Sequence, residues 1–147
     1  MPMQYQVTHR IHRSPAEVFD TLVVQQARNH PRWEPEVLEI RREGPIASGL
    51  KGIMVRKENG RVSEVPFEFV DVVPDRRVEI RSGSGGFHLH LIWEMNPAGA
   101  ETDFTLTASA KLTGALWLMT PLMSLGFPGR SRRITNAMVA LLNQAGQ

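Results

Sequence analysis

Alternation opens the chain. Between Gln4 and His12, Tyr5, Val7, His9 and Ile11 fall on one side, and Gln6, Thr8, Arg10 and His12 on the other. That pattern predicts a half-buried strand. Helical spacing follows at once. In Ser14-Pro15-Ala16-Glu17 the serine caps, the proline takes the first helical position, and Glu17 closes a capping box. Val18, Phe19, Leu22 and Val23 form the apolar face of the helix, which runs toward Asn29. His30-Pro31-Arg32-Trp33-Glu34-Pro35 then reads as a corner, because each proline pushes its predecessor toward extended geometry.

Beyond Glu36 the pattern is strands and turns, with strands expected over 37–42, 50–57, 62–73, 77–82, 87–95 and 102–112. Glycine- and proline-rich turns separate them, and Asn59-Gly60 carries the strongest hairpin dipeptide. In one strand Phe87, Leu89, Leu91, Trp93 and Met95 oppose His88, His90, Ile92 and Glu94. In the next, Phe104, Leu106, Ala108 and Ala110 oppose Thr105, Thr107, Ser109 and Lys111. Gly114 to Asn143 reads helical, with one apolar face at Leu116, Met119, Leu122 and Met123 and another at Ile134, Met138, Leu141 and Leu142. Gly126-Phe127-Pro128-Gly129 is expected to break or kink that helix into two hinged segments.

Strand, one or two short helices, six further strands and a long helix make an α+β order. Consecutive hairpins imply a seven-stranded antiparallel sheet. Its apolar face needs a cover, and only the last helix is long enough to supply it. No repeat or linker interrupts the chain, so residues 1–147 are expected to form one domain.

Composition narrows the function classes. With 41% apolar and 22% charged residues the chain can build a core. It has no cysteine, which excludes disulfides, thiolate metal sites and cysteine nucleophiles and fits a cytoplasmic location. Met1-Pro2-Met3-Gln4 does not start a signal peptide. The most apolar stretch, 115–128, is shorter than the ~20 residues of a membrane helix, and Pro121, Gly126 and Pro128 interrupt it. A net charge of +2, with opposite signs mostly interleaved, gives no reason to expect a nucleic-acid partner.

At this point the chain resembles the START-like helix-grip (SRPBCC) superfamily, and within it the polyketide cyclase/dehydrase branch. The resemblance rests on the opening strand with Ser14-Pro15-Ala16-Glu17-Val18-Phe19, on the Pro31-Arg32-Trp33-Glu34-Pro35 corner, on the hairpin run and on the closing helix. It implies a curved sheet gripping a long kinked helix around a cavity. Relatives use that cavity for lipids, quinones, hormones or polyketides, and a minority are cyclases or aromatases. Most such folds close on an unbroken helix, so the Gly126–Gly129 segment is a departure at the cavity mouth.

The candidate ligand contacts follow. Phe67, Phe69, Leu89, Leu91, Trp93, Phe104 and Leu106 face inward, where the ordinary role of such residues is core packing. Ala108 and Ala110 are small, which leaves room either for a ligand or for close approach of the helix. Met119 and Met123 are flexible, polarisable contacts on the helix. Trp33 packs the corner or gates the cavity. His9, on an apolar face, needs a partner and serves as a polar anchor or general base, with Tyr5 beside it as a donor. His88, His90 and Glu94 share a face with metal-ligand spacing, but opposite the apolar set, so that face reads as solvated. No metal or cofactor is expected. Arg130, Arg132 and Arg133 lie just beyond the Gly126–Gly129 segment, either as a solvated turn or facing an anionic head group or lipid surface.

Two functions are therefore in view. The first is binding or carrying of a hydrophobic small molecule by a monomer or homodimer. The second is a cyclase/aromatase or dehydratase-type enzyme. Tyr5 with His9, or His30 with Glu34, would be its acid/base pair.

Overall fold

The computed structural model describes residues 3–144. The Met1-Pro2 start, and the last three residues of the 1–147 span, lie outside the described residues. Strand β1 (Met3–Ile11) leads into helix α1 (Pro15–Phe19). The expected capping box is present in full: Glu17 N–H donates to the Ser14 hydroxyl and the Glu17 carboxylate accepts from the Ser14 N–H. A π-helical stretch (Asp20–Val24) joins α1 to α2 (Gln26–Trp33).

Six strands follow: β2 (Val37–Arg42), β3 (Leu50–Glu58), β4 (Arg61–Val73), β5 (Arg77–Ser84), β6 (Phe87–Ala98) and β7 (Glu101–Leu112). Asn59 and Gly60 both take positive φ, 51° and 77°, as the tight β3–β4 hairpin demands. A 3₁₀ segment (Gly114–Met119) and helix α3 (Thr120–Gln144) close the chain.

All seven strands form one antiparallel sheet in the order β1-β7-β6-β5-β4-β3-β2. Register shifts between Val37 and Glu39 and between Phe69 and Asp71 mark bulges, which bend a strand and increase its twist. The alternation read from the sequence sets the inner face. Val78, Ile80, Trp93, Met95, Phe104 and Leu106 are buried there in one cluster with Met138, Leu141 and Leu142 of α3 and with Val18, Phe19, Leu22 and Val23. This is the helix-grip arrangement.

Two local expectations are corrected. His30 is helical and not extended, because α2 continues through Pro31 to Trp33. Proline forfeits one intrahelical hydrogen bond. Burial of Trp33, stacked on His30 with ring centroids 4.8 Å apart, and an ion-pair cluster at Glu34 hold the turn in place. Nor do Gly126-Phe127-Pro128-Gly129 divide the last helix: α3 is continuous from Thr120 to Gln144 with Pro128 inside. Burial of Ser131, Thr135 and Met138 on its sheet-facing side outweighs the one lost bond. The change of helical form comes earlier, where the 3₁₀ segment meets Thr120.

Candidate functional site

Polar chemistry concentrates where α2, β3 and α3 meet. Glu34, just past the end of α2, is buried. One of its carboxylate oxygens bonds His30 Nε2 at 2.9 Å, and the other pairs with Arg56 Nη1 at 2.7 Å. Arg56 also reaches Glu58 at 2.7 Å, and Arg130 of α3 bonds the same Glu58 oxygen at 2.7 Å. Burial alone pushes the Glu34 carboxyl up. The His30 hydrogen bond and the Arg56 charge outweigh it and hold the group down at about 2. Burial likewise lowers Arg56, but Glu34 and Glu58 reverse it and raise the guanidinium. The cluster ties the corner to the sheet and to the helix. Its carboxylate is occupied on both oxygens.

A second region is apolar and more open. On β7, Ala108 lies between Tyr5 of β1 and Leu91 of β6, and Ala110 lies between Met3 and Leu89. Two alanines flanked by larger side chains make a trough along the concave face. Tyr5, Leu89 and Leu91 are half-buried, while Ala108 and Ala110 are buried between them. At the trough's end lies a depression of about 560 Å³ lined by apolar Met3, Leu89, Ala110, Leu112 and Trp117 and by polar Gln4, Arg81, Ser82, His88, His90, Ser109, Lys111 and Thr120, so it takes in residues from both faces of the sheet edge. A larger open groove of about 930 Å³ is lined from β2 to β6 and takes in neither β1, β7 nor α3. Deeper in the grip, the Trp93 indole N–H is buried with no acceptor among the described residues. Trp93 meets Trp33 edge to face, with centroids 6.3 Å apart.

The residues singled out from the sequence divide three ways. Trp33, Phe67, Phe69, Trp93, Phe104 and Leu106 are buried in the main core cluster. Tyr5, His9, Leu89 and Leu91 are half-buried on the concave face, with His9 opposite Phe104. Met119 and Met123 are exposed at the start of the helical segment. Tyr5 and His9 stand four residues apart on one strand, roughly 13 Å along it. On the other side of the sheet His90 bonds Glu79 at 2.8 Å, and His88 meets the Thr113 hydroxyl at 3.1 Å. Among the described residues no three His, Asp or Glu side chains converge on a metal position.

Arg56, Met3, Leu112 and Trp117 were not anticipated. Arg56 had a signal: it occupies the inward step of Leu50, Gly52, Met54 and Arg56, where a charge requires a buried partner. Trp117 and Leu112 had none, since their meeting depends on how the chain turns at Gly114.

The fold is widely shared. The Zhui aromatase/cyclase of Streptomyces sp. R1128 superposes with a TM-score of 0.80 at 13% identity, covering 100% of this chain and 97% of that one. A Thermus thermophilus protein gives 0.71 at 16% identity, covering 98% and 99%. A point mutant of Thalictrum flavum norcoclaurine synthase gives 0.66 at 12% identity, covering 100% and 99%. At such identities the likeness is one of fold alone. No curated protein matches the sequence. Residues 2–143 match the family described as polyketide cyclase/dehydrase and lipid transport, and the chain therefore belongs to that family.

Proposed function

We propose that this protein binds a hydrophobic small molecule along the β7 trough. The observation that carries the reading is the depression lined by Met3, Leu89, Ala110 and Trp117 at the end of the row of small side chains formed by Ala108 and Ala110. Its volume of about 560 Å³ falls within the usual ~300–1,000 Å³ of ligand sites. The ligand would be mainly lipid-like, quinone-like, polyketide-like or aromatic. Family membership and the aromatase/cyclase likeness support the same class of ligand.

Cyclase or dehydratase chemistry needs an acid and a base within reach of one point. The roughly 13 Å along the strand between Tyr5 and His9, and the closed Glu34 cluster, favour binding over turnover.

Native mass spectrometry of protein purified from its own host, with a thermal-shift screen of lipids, quinones and aromatics, tests the proposal. A ligand at 100 times its Kd adds about 2.7 kcal/mol, or roughly 5–10 °C for a chain of this size. Ala110→Phe should abolish the shift, and because Ala110 is packed with Met3 and Leu112 the overpacking itself should cost about 1–3 kcal/mol, read from the ligand-free melting point. Ligand shifts of equal size in Ala110→Phe and wild type would rule out the trough as the site.

A further inference from the structure

The end of the 3₁₀ segment and the first turns of α3 carry their large apolar residues outward. Thr120 and Ser124 turn toward the interior, and their hydroxyls bond the carbonyls of Trp117 and Thr120 within the helical segment. The large apolar residues turn outward instead: Trp117 is 64% exposed, Leu118 76%, Leu122 64% and Leu125 83%. Met119 and Met123 are exposed beside them. A helix that grips a core places these classes the other way round. Large apolar side chains grouped on the outer face suit an apolar surrounding and not water.

The same outward stripe then changes chemistry. At about 100° per residue, Leu122, Leu125, Gly129, Arg132 and Arg133 fall within an arc of about 100°, and Arg132 lies about 15 Å along the axis from Leu122. Thr120, Ser131, Thr135 and Met138 occupy the opposite side. Arg133 reaches Glu36 at 3.1 Å and Arg130 reaches Glu58, while Arg132 forms no ion pair among the described residues. From Phe104 to Gln147 there are four basic residues, Lys111, Arg130, Arg132 and Arg133, and no acidic one, although the basic excess of the whole chain is only two. An apolar tip followed by cationic side chains on one face is the pattern of a segment that lies in a membrane interface.

We propose that the segment from Trp117 to Arg133 docks this protein on an anionic lipid bilayer, with Leu118, Leu122 and Leu125 entering the acyl boundary and Arg132 and Arg133 meeting head groups. No helix is long and apolar enough to cross a membrane, so the contact is peripheral. A second copy fits less well, since two patches face to face would find no acidic residue in this segment to meet the arginines. The docking surface adjoins the trough, because Trp117 and Thr120 also line its mouth. A ligand could then pass between bilayer and protein without crossing water. The docking itself does not require a ligand.

Vesicle co-sedimentation of the full chain decides the matter, with phosphatidylcholine alone compared against phosphatidylcholine containing phosphatidylglycerol. Trp33 and Trp93 are both 2% exposed, so a blue shift on vesicle addition reports Trp117. Binding to the anionic vesicles with that shift is expected. Leu122→Ser/Leu125→Ser should weaken binding at least tenfold with an unchanged melting curve. Arg132→Glu/Arg133→Glu should remove the anionic preference, at least about fivefold per arginine. Either pair binding like wild type overturns the proposal. So does absence of wild-type binding, including the case in which light scattering shows a dimer that shields Trp117. A trough that takes no ligand leaves the vesicle result standing, so the two proposals fail separately.

Discussion

Replacing Glu34 by glutamine keeps its shape and removes its charge from a buried cluster. In the wild type the carboxylate holds Arg56 at 2.7 Å and His30 at 2.9 Å. Breaking a buried pair typically costs 3–5 kcal/mol, because the remaining charge stays out of water. Glu58 still accepts from Arg56, so the lower end applies, about 3 kcal/mol. The titration gives a similar figure. A carboxyl lowered from 4.5 to about 2 is worth roughly 3 kcal/mol at neutral pH. Because the folded value is the depressed one, that stability is present in full above about pH 4.5 and is lost as pH falls toward 2.

Urea unfolding of wild type and Glu34→Gln, followed by tryptophan fluorescence from pH 7 down to pH 2, measures both. Glu34→Gln should be about 3 kcal/mol weaker at pH 7, and the gap should narrow as the wild-type carboxyl takes up its proton. A gap under about 0.5 kcal/mol at pH 7, the usual size of a surface change, would refute the reasoning. A gap of constant size down to pH 2 would refute the titration part.

Two further changes test the scaffold. Ser14→Ala removes the hydroxyl that accepts from Glu17 N–H and should cost about 1 kcal/mol by denaturant midpoint. Gly52→Ala places a Cβ 2.4 Å from the Phe67 ring and 2.7 Å from the Arg41 carbonyl. It should cost about 1–3 kcal/mol by overpacking, and a change near zero would show that both the Phe67 ring and the β2 backbone at Arg41 move aside freely.

Local rules carried much of this fold. Period-two alternation is a property of single strands, so the sides of β1, β6 and β7 could be read before their partners were known. The capping box is complete within four residues, and Asn59-Gly60 specifies its own turn. None of these depends on distant contacts. The trough was half legible: small Ala108 and Ala110 marked the place, but their flanking by Tyr5 and Leu91, Met3 and Leu89 is a matter of register between β1, β7 and β6.

Long-range packing decided the rest. Pro31 and Pro128 locally argue for breaks, and both sit inside helices because the surrounding residues bury more than one lost hydrogen bond costs. Arg56 is separated from Glu34 by the whole of β2, so their pairing exists only once β3 folds back against the corner. Met119, Leu122 and Met123 read from the sequence as part of one apolar helix face, with Leu116, yet all three are exposed. Which side of a helix faces the sheet is set by the residues that win burial along its whole length. In α3 those are Ser131, Thr135, Met138, Leu141 and Leu142, and their choice turns the apolar first turns outward.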